Sequence, residues 1–76
     1  MREQIGETAG KIWMTLGQKG QVNLSMLPKM LKEKNDVTFQ ALGWLAHEGK
    51  VSYLKRDNKN FVSLTDQETQ IYKTIN

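Results

Sequence analysis

Residues 27–51 restrict the possible folds of this chain more than any other segment. Apolar residues recur at helical spacing on both sides of the polar pair Asn35 and Asp36, and Gly49 ends the second run. Glycine readily adopts the left-handed conformation that commonly follows a helix. The pattern predicts two helices joined by a tight turn, the second beginning near Asp36 or Val37 and leading directly into a strand.

Two alternating runs follow this glycine. Residues 50–55 and 61–64 alternate polar and apolar side chains, and the polar residues 56–60 separate them. Such alternation on both sides of a polar connection predicts an antiparallel β-hairpin with a polar tip. Residues 21–24 alternate in the same way and predict one more short strand.

The first predicted helix covers about residues 3–17. Its apolar residues recur at helical spacing, and Gly17 and Gly20 are expected to end it. Gly6 and Gly10 lie inside it one turn apart, and each costs about 1 kcal/mol relative to alanine. Their presence fits either a close backbone contact or a frayed first turn.

Two further helices have recognisable starts. Ser25 is predicted to cap one of them, because Pro28 then falls in the first turn, where a missing N–H breaks no intrahelical bond. Three apolar residues are expected on its inner face, Leu27, Met30 and Leu31. Thr65 and Glu68 have the spacing of a capping box. They predict a short last helix whose apolar period runs through Ile71, Tyr72 and Ile75.

The predicted order is therefore α-β-α-α-β-β-α, an α+β fold with a short three-stranded antiparallel sheet. Its 76 residues are expected to form one domain, residues 1–76. The chain has no cysteine, which excludes disulfides and thiolate metal sites. Charges and glycines occupy residues 1–13, where a secretory signal needs an apolar stretch, and no segment approaches the roughly 20 apolar residues that span a bilayer. These features predict a soluble, cytoplasmic protein without membrane contact.

The positive charge is concentrated in one half of the sequence. The whole chain carries a net charge of +3, and residues 29–59 hold 7 basic against 4 acidic side chains, which is the same excess. An excess of this size permits nucleic-acid binding without requiring it.

One motif joins helix, glycine and strand in register, Ala41-Leu42-x-x-Leu45-x-x-Glu48-Gly49-Lys50-Val51. With it the chain resembles the winged helix-turn-helix superfamily over nearly its whole length. The pairs Ile5-Gly6, Ala9-Gly10 and Ile12-Trp13, with residues 41–46, resemble more closely a small family of stand-alone prokaryotic winged helices of unknown function. This resemblance implies a winged-helix fold and, by analogy of fold, binding to DNA.

The third helix is the segment that would enter the major groove in a DNA-binding winged helix. At 100° per residue its outer arc holds Gln40, Gly43 and His47, of which only Gln40 is a standard reader of base edges. Phe39 and Trp44 border this arc. They would either widen the core under the first helix and the wing, which is the predicted β-hairpin, or form a contact with a second copy or another protein.

Six basic residues flank this helix in the prediction. Three belong to the hairpin, Lys55, Arg56 and Lys59, and three lie around the second helix, Lys29, Lys32 and Lys34. They could hold backbone phosphates on either side of the third helix. The alternative is that they are solvated side chains that keep a small protein soluble.

No catalytic, phosphate-binding or metal-ligating motif emerges from the sequence, so neither an enzyme nor a cofactor nor a small-molecule ligand is expected. The chain has one histidine, too few for a histidine metal site. The leading hypothesis is a winged helix that binds duplex DNA weakly through phosphates, as a homodimer, in transcription regulation or as a nucleoid-associated protein. The alternative is a protein-interaction module that uses the same fold without binding DNA.

Overall fold

The computed structural model describes the backbone of residues 2–75 and the side chains of residues 4–75. This part of the chain forms four α-helices and three strands in the predicted order. The elements are α1 (Arg2–Lys19), β1 (Gln21–Asn23), α2 (Leu27–Leu31), α3 (Asn35–His47), β2 (Val51–Arg56), β3 (Lys59–Leu64) and α4 (Asp66–Ile75). A single 3₁₀ turn, Leu24–Met26, joins β1 to α2. The predicted α+β class and winged-helix topology are confirmed.

The three strands form one antiparallel sheet in the order β1-β3-β2. Val22 of β1 and Tyr53 of β2 both pair with Val62 of β3, so these three side chains share the face that packs against the helices. The core between this face and α1, α2 and α3 consists of buried aliphatic residues. They are Ala9, Ile12, Leu16, Val22, Leu27, Leu31, Ala41, Leu42, Leu45, Val51, Val62 and Leu64.

The end of α1 differs from the prediction. The helix continues through Gly17 to Lys19, and Gly20 with φ +83° ends it. Gly17 is instead a contact position, because a Cβ there would overlap the ring of Tyr72. The close backbone contact considered for Gly6 and Gly10 is absent, since nothing lies within 4 Å of a Cβ built on either.

The start of α2 also corrects the sequence analysis. The Asn23 side-chain oxygen accepts hydrogen bonds from the Ser25 N–H at 3.0 Å and the Ser25 hydroxyl at 2.8 Å, so Asn23 caps the 3₁₀ turn and Ser25 caps no helix. This turn carries the chain directly into α2. Pro28 lies in the first turn of α2, as predicted. Met30 is 39% exposed and so does not belong to the inner face.

Helix α3 begins at Asn35, slightly earlier than predicted, and ends as predicted at Gly49, where φ is +72°. The Gly49 N–H donates to the Ala46 carbonyl at 3.0 Å and the Lys50 N–H to the Leu45 carbonyl at 2.9 Å. These two bonds are those of a Schellman motif, which needs a left-handed residue at this position.

Gly49→Val is expected to lower the free energy of unfolding by about 1–2 kcal/mol, because a residue with a Cβ is strained in the left-handed region. Thermal or urea denaturation measures this loss. Gly43→Val is the matched control, since Gly43 lies inside α3 with open space around it. Equal losses in both variants would contradict the assigned helix end.

Helix α4 packs against α1 through polar and aromatic contacts. The Trp13 indole N–H donates to Glu68 Oε1 at 2.9 Å, and the rings of Trp13 and Tyr72 are 5.4 Å apart. Glu68 is only 9% exposed. The predicted capping box does not form: the Thr65 hydroxyl donates to the Gly49 carbonyl at 3.2 Å instead, and Glu68 accepts from α1. The start of α4 is therefore fixed by contacts with distant elements.

Candidate nucleic-acid interface

The exposed arc of α3 contains four residues at helical spacing. Gln40, Gly43 and His47 are exposed where the sequence placed them, and Asp36 joins them because α3 begins at Asn35. The Asp36 carboxylate accepts a hydrogen bond from the Val37 N–H at 2.9 Å, which holds it at the helix start. The arc thus exposes two side chains that can donate hydrogen bonds, Gln40 and His47, and one carboxylate, which repels anions.

The inner side of α3 contains one polar residue that the sequence analysis missed. Thr38 is fully buried, and its hydroxyl donates to the Lys34 carbonyl one turn earlier at 2.8 Å. A threonine at an inward position can satisfy its hydroxyl in this way within its own helix. The bond ties the residue before α3 to its first turn.

The two aromatic residues beside this arc border different grooves. Phe39 lines a groove with the wing residues 58–60 and the 3₁₀ turn, whereas Trp44 lines a groove with α1 and α4. Phe39 is 41% exposed and Trp44 is 47% exposed. Neither side chain therefore fills the core, so the first of the two alternatives is wrong. The second alternative, a contact with another molecule, stays a prediction for both residues.

The wing ends in a tighter turn than predicted. Asp57 and Asn58 alone connect the strands, with φ values of +52° and +65°. Positive φ at both central residues is the signature of a type I′ turn, and Asp and Asn tolerate it better than other side chains with a Cβ. Residues 56, 59 and 60, predicted to lie in the tip, belong to the strands.

The wing's basic side chains are divided between its two faces. Arg56 pairs with Lys59 across the strands, so the two positive charges lie side by side on one face. Lys55 pairs with Asn60 on the other face, which also carries Tyr53. Like charges directly opposite each other in a sheet destabilise it, and a bound anion relieves that repulsion.

Tyr53 is an additional polar group near the interface that the sequence analysis did not single out. It is 51% exposed on the same face of the hairpin as Lys55. Partial burial raises the pKa of Tyr53 above its ordinary value of 10.0. The phenol therefore stays protonated at neutral pH and can donate a hydrogen bond to a phosphate oxygen. The alternating pattern of the strand did not indicate whether Tyr53 is exposed or buried in the core.

The remaining basic residues lie around α2. Lys29, Lys32 and Lys34 are all exposed, and Lys34 is the N-cap residue of α3. The ion pair in the described part of the chain joins Lys11 to Glu33 at 3.5 Å, so none of the six predicted phosphate contacts is neutralised by a carboxylate. Lys34 adjoins the start of α3, and Lys59 shares the groove of Phe39. The structure thus places basic groups on two sides of the first half of α3.

No group of three or more His, Cys, Asp or Glu side chains in the described residues is arranged to hold a metal ion. No helix in this part of the chain is long and apolar enough to cross a membrane.

The chain is similar to known proteins in sequence and in structure. A protein of Methanocaldococcus jannaschii, the uncharacterised MJ1608, is 41% identical over 64 residues, which cover 80% of this chain and 90% of that protein. Among solved structures, ZitR of Lactococcus lactis superposes with a TM-score of 0.81 at 19% identity over 97% of this chain. The transcriptional regulator HlyU of Vibrio vulnificus superposes with a TM-score of 0.77 at 20% identity over 91% of this chain.

At these identities the two structural matches establish a shared fold. This chain spans 58% of the length of ZitR and 72% of that of HlyU. The family model for the winged helix-turn-helix domain DUF2582 matches residues 1–64, from α1 to the end of the wing. The chain therefore belongs to this family of winged helix-turn-helix domains.

Proposed function

We propose that this protein binds double-stranded DNA weakly and mainly through its phosphates, in transcription regulation or as a nucleoid-associated protein. The observation that carries the proposal is the cross-strand pair Arg56 and Lys59 at the end of the wing. Two unneutralised cations in that position favour an anion between them. A phosphate of the DNA backbone supplies that anion.

The rest of the interface is assigned by its position around α3. With α3 in the major groove, Gln40 would contact an adenine edge, and His47 would lie about two turns further along the same helix. Lys34, Lys32 and Lys29 would contact the phosphates on the side of α2, while Lys55 and Tyr53 would do so from the other face of the wing. One good base reader gives little discrimination between sequences, so binding would depend mostly on charge.

A homodimer is part of this proposal. A single domain of this size presents few phosphate contacts, and two copies on one duplex would double them. HlyU, which shares the fold, is a transcriptional regulator. The proposal requires no catalytic step and no cofactor.

A titration of ¹⁵N-labelled protein with a mixed-sequence duplex, at about 50 mM and about 200 mM salt, tests the proposal. We expect the largest shift changes at Gln40, His47, Arg56 and Lys59, and a clear loss of affinity at the higher salt. Absence of binding at the lower salt would overturn DNA binding. Binding that does not respond to salt would overturn the role given to the phosphates.

The alternative function is a protein-interaction module. It is favoured by the half-exposed Phe39 and Trp44 on the two borders of α3, because apolar groups at those positions are typical of protein contacts. Sedimentation of the same sample, with and without duplex, distinguishes the two functions. A protein that self-associates and ignores DNA would support the interaction module.

A further inference from the structure

A groove between α1, α3 and α4 lies beside Trp44, on the border of α3 opposite to Phe39. Its volume is about 530 Å³, within the range of small-molecule sites. Trp13 of α1, Trp44 of α3 and Ile71 of α4 supply apolar walls. The groove is separate from the wing and from the basic residues assigned to phosphates.

Gly6 and Gly10 keep this groove open along α1. Both line it, and a Cβ built on either meets nothing within 4 Å. Each glycine costs α1 about 1 kcal/mol of helix stability relative to alanine. No packing contact within the described structure explains why glycine is present at these positions. A molecule bound in the groove would explain it, because it would need the space that a side chain fills.

Glu68 supplies an unpaired negative charge to the groove. It is 9% exposed, and only its Oε1 has a partner, the indole N–H of Trp13. Among the described side chains, no buried oxygen lacks a hydrogen-bond partner, so the unbonded Oε2 retains some exposure to solvent, and Glu68 lines the groove. A carboxylate this deeply buried is normally paired with a cation, and no ion pair in the described part of the chain involves Glu68.

The charge around the groove has the opposite sign to that of the whole protein. Two carboxylates, Glu48 and Glu68, line it against one ammonium, Lys50, in a chain with a net charge of +3. Indole rings attract cations to their faces, and tryptophan does so best among the aromatic residues. The negative charge and the tryptophan walls of the groove therefore both favour a cationic ligand with an apolar part.

We propose that this groove binds a small organic cation, an ammonium group carried on an aromatic or branched apolar body. The ammonium would donate to Glu68 Oε2, and the apolar body would lie against Trp13, Trp44 and Ile71. This site does not depend on DNA binding, so either proposal can fail without the other.

Tryptophan fluorescence provides the test, because the only two tryptophans of the chain both line the groove. The full chain is titrated with three probes of similar shape: 2-phenylethylamine, neutral 2-phenylethanol and anionic 3-phenylpropionate. We expect the amine to bind about tenfold more tightly than the alcohol, since a hydrogen bond to a charged group contributes roughly that factor or more. The anion is expected to bind most weakly. Equal affinities, or no response to the amine at millimolar concentration, would overturn the proposal.

Two variants locate the site. Glu68→Gln keeps an oxygen for the Trp13 indole and removes the charge, so amine affinity should fall about tenfold while phenylethanol affinity is unchanged. Gly6→Leu places a side chain in the groove and should abolish binding of both. Glu7→Gln, an exposed carboxylate of α1 outside the groove, is the matched control and should change neither.

A second copy of the chain is the competing occupant. Sedimentation of the wild-type protein and Gly6→Leu separates the two cases. A dimer that Gly6→Leu dissociates, together with no response to the amine, would assign the groove to self-association and overturn the ligand proposal. A response to the amine that Gly6→Leu abolishes supports it.

Discussion

Alanine at Gly17 is expected to destabilise the protein by about 1–3 kcal/mol, whereas alanine at Gly10, two turns earlier in the same helix, should stabilise it by about 1 kcal/mol. The helix gains equally from losing either glycine. Only at Gly17 does the new Cβ overlap the ring of Tyr72, which forces α4 away from α1 and costs as much as overpacking a core. The two alanine substitutions therefore change stability in opposite directions because only Gly17 contacts Tyr72.

Urea denaturation of the two variants measures both changes under the same conditions. The double variant Gly17→Ala with Tyr72→Ala is the control, because removal of the ring should remove the extra penalty of the alanine. A stability of Gly17→Ala equal to or above that of the wild-type protein would show that α4 does not hold Tyr72 against α1.

Replacing Arg56 and Lys59 together by glutamine is expected to lower duplex affinity about a hundredfold at low salt, and by the same factor for every DNA sequence. The two side chains are adjacent on one face of the wing, and each lost phosphate contact removes about 0.9 from the slope of log K against log salt. The slope should therefore fall by about 2. Fluorescence anisotropy over a series of salt concentrations measures both quantities.

Two controls make this result specific. Lys55→Gln tests the opposite face of the wing, and its loss should be smaller and additive. Lys19→Gln with Lys73→Gln removes the same charge from α1 and α4, outside the assigned interface, and should change affinity little. Equal losses in the two double variants would mean that net charge, and not the wing, determines binding.

The parts of the fold with strong local signals were predictable from the sequence. The stop of α3 at Gly49 depends on two backbone bonds within six residues, so a glycine after an apolar helical run was sufficient to locate it. The wing's turn was placed too broadly because it contains no glycine, and Asp57 and Asn58 take the left-handed conformations that glycine usually supplies.

The contacts of α4 could not be predicted in this way. Trp13 and Glu68 are 55 residues apart in the sequence. No local pattern indicates that a glutamate, which is usually exposed, is buried here and accepts a hydrogen bond from the Trp13 indole. Gly17 was interpreted as a helix stop. Sequence spacing does not show that the ring of Tyr72, 55 residues later, fills the space where a side chain at Gly17 would lie. The same limit applies to the groove, which three distant elements form together.

The family match ends at Leu64 and so includes only part of the groove between α1, α3 and α4. The family pattern ends with the wing, so it specifies α3 and the basic strands but not α4, which carries the buried carboxylate. A relative that shares only the matched residues would have the groove walls of α1 and α3, with Glu48 and Lys50, but would lack Glu68 and Ile71. Substitutions at Glu68 and Ile71 therefore change the lining of the groove without changing the sequence of α3 or of the wing.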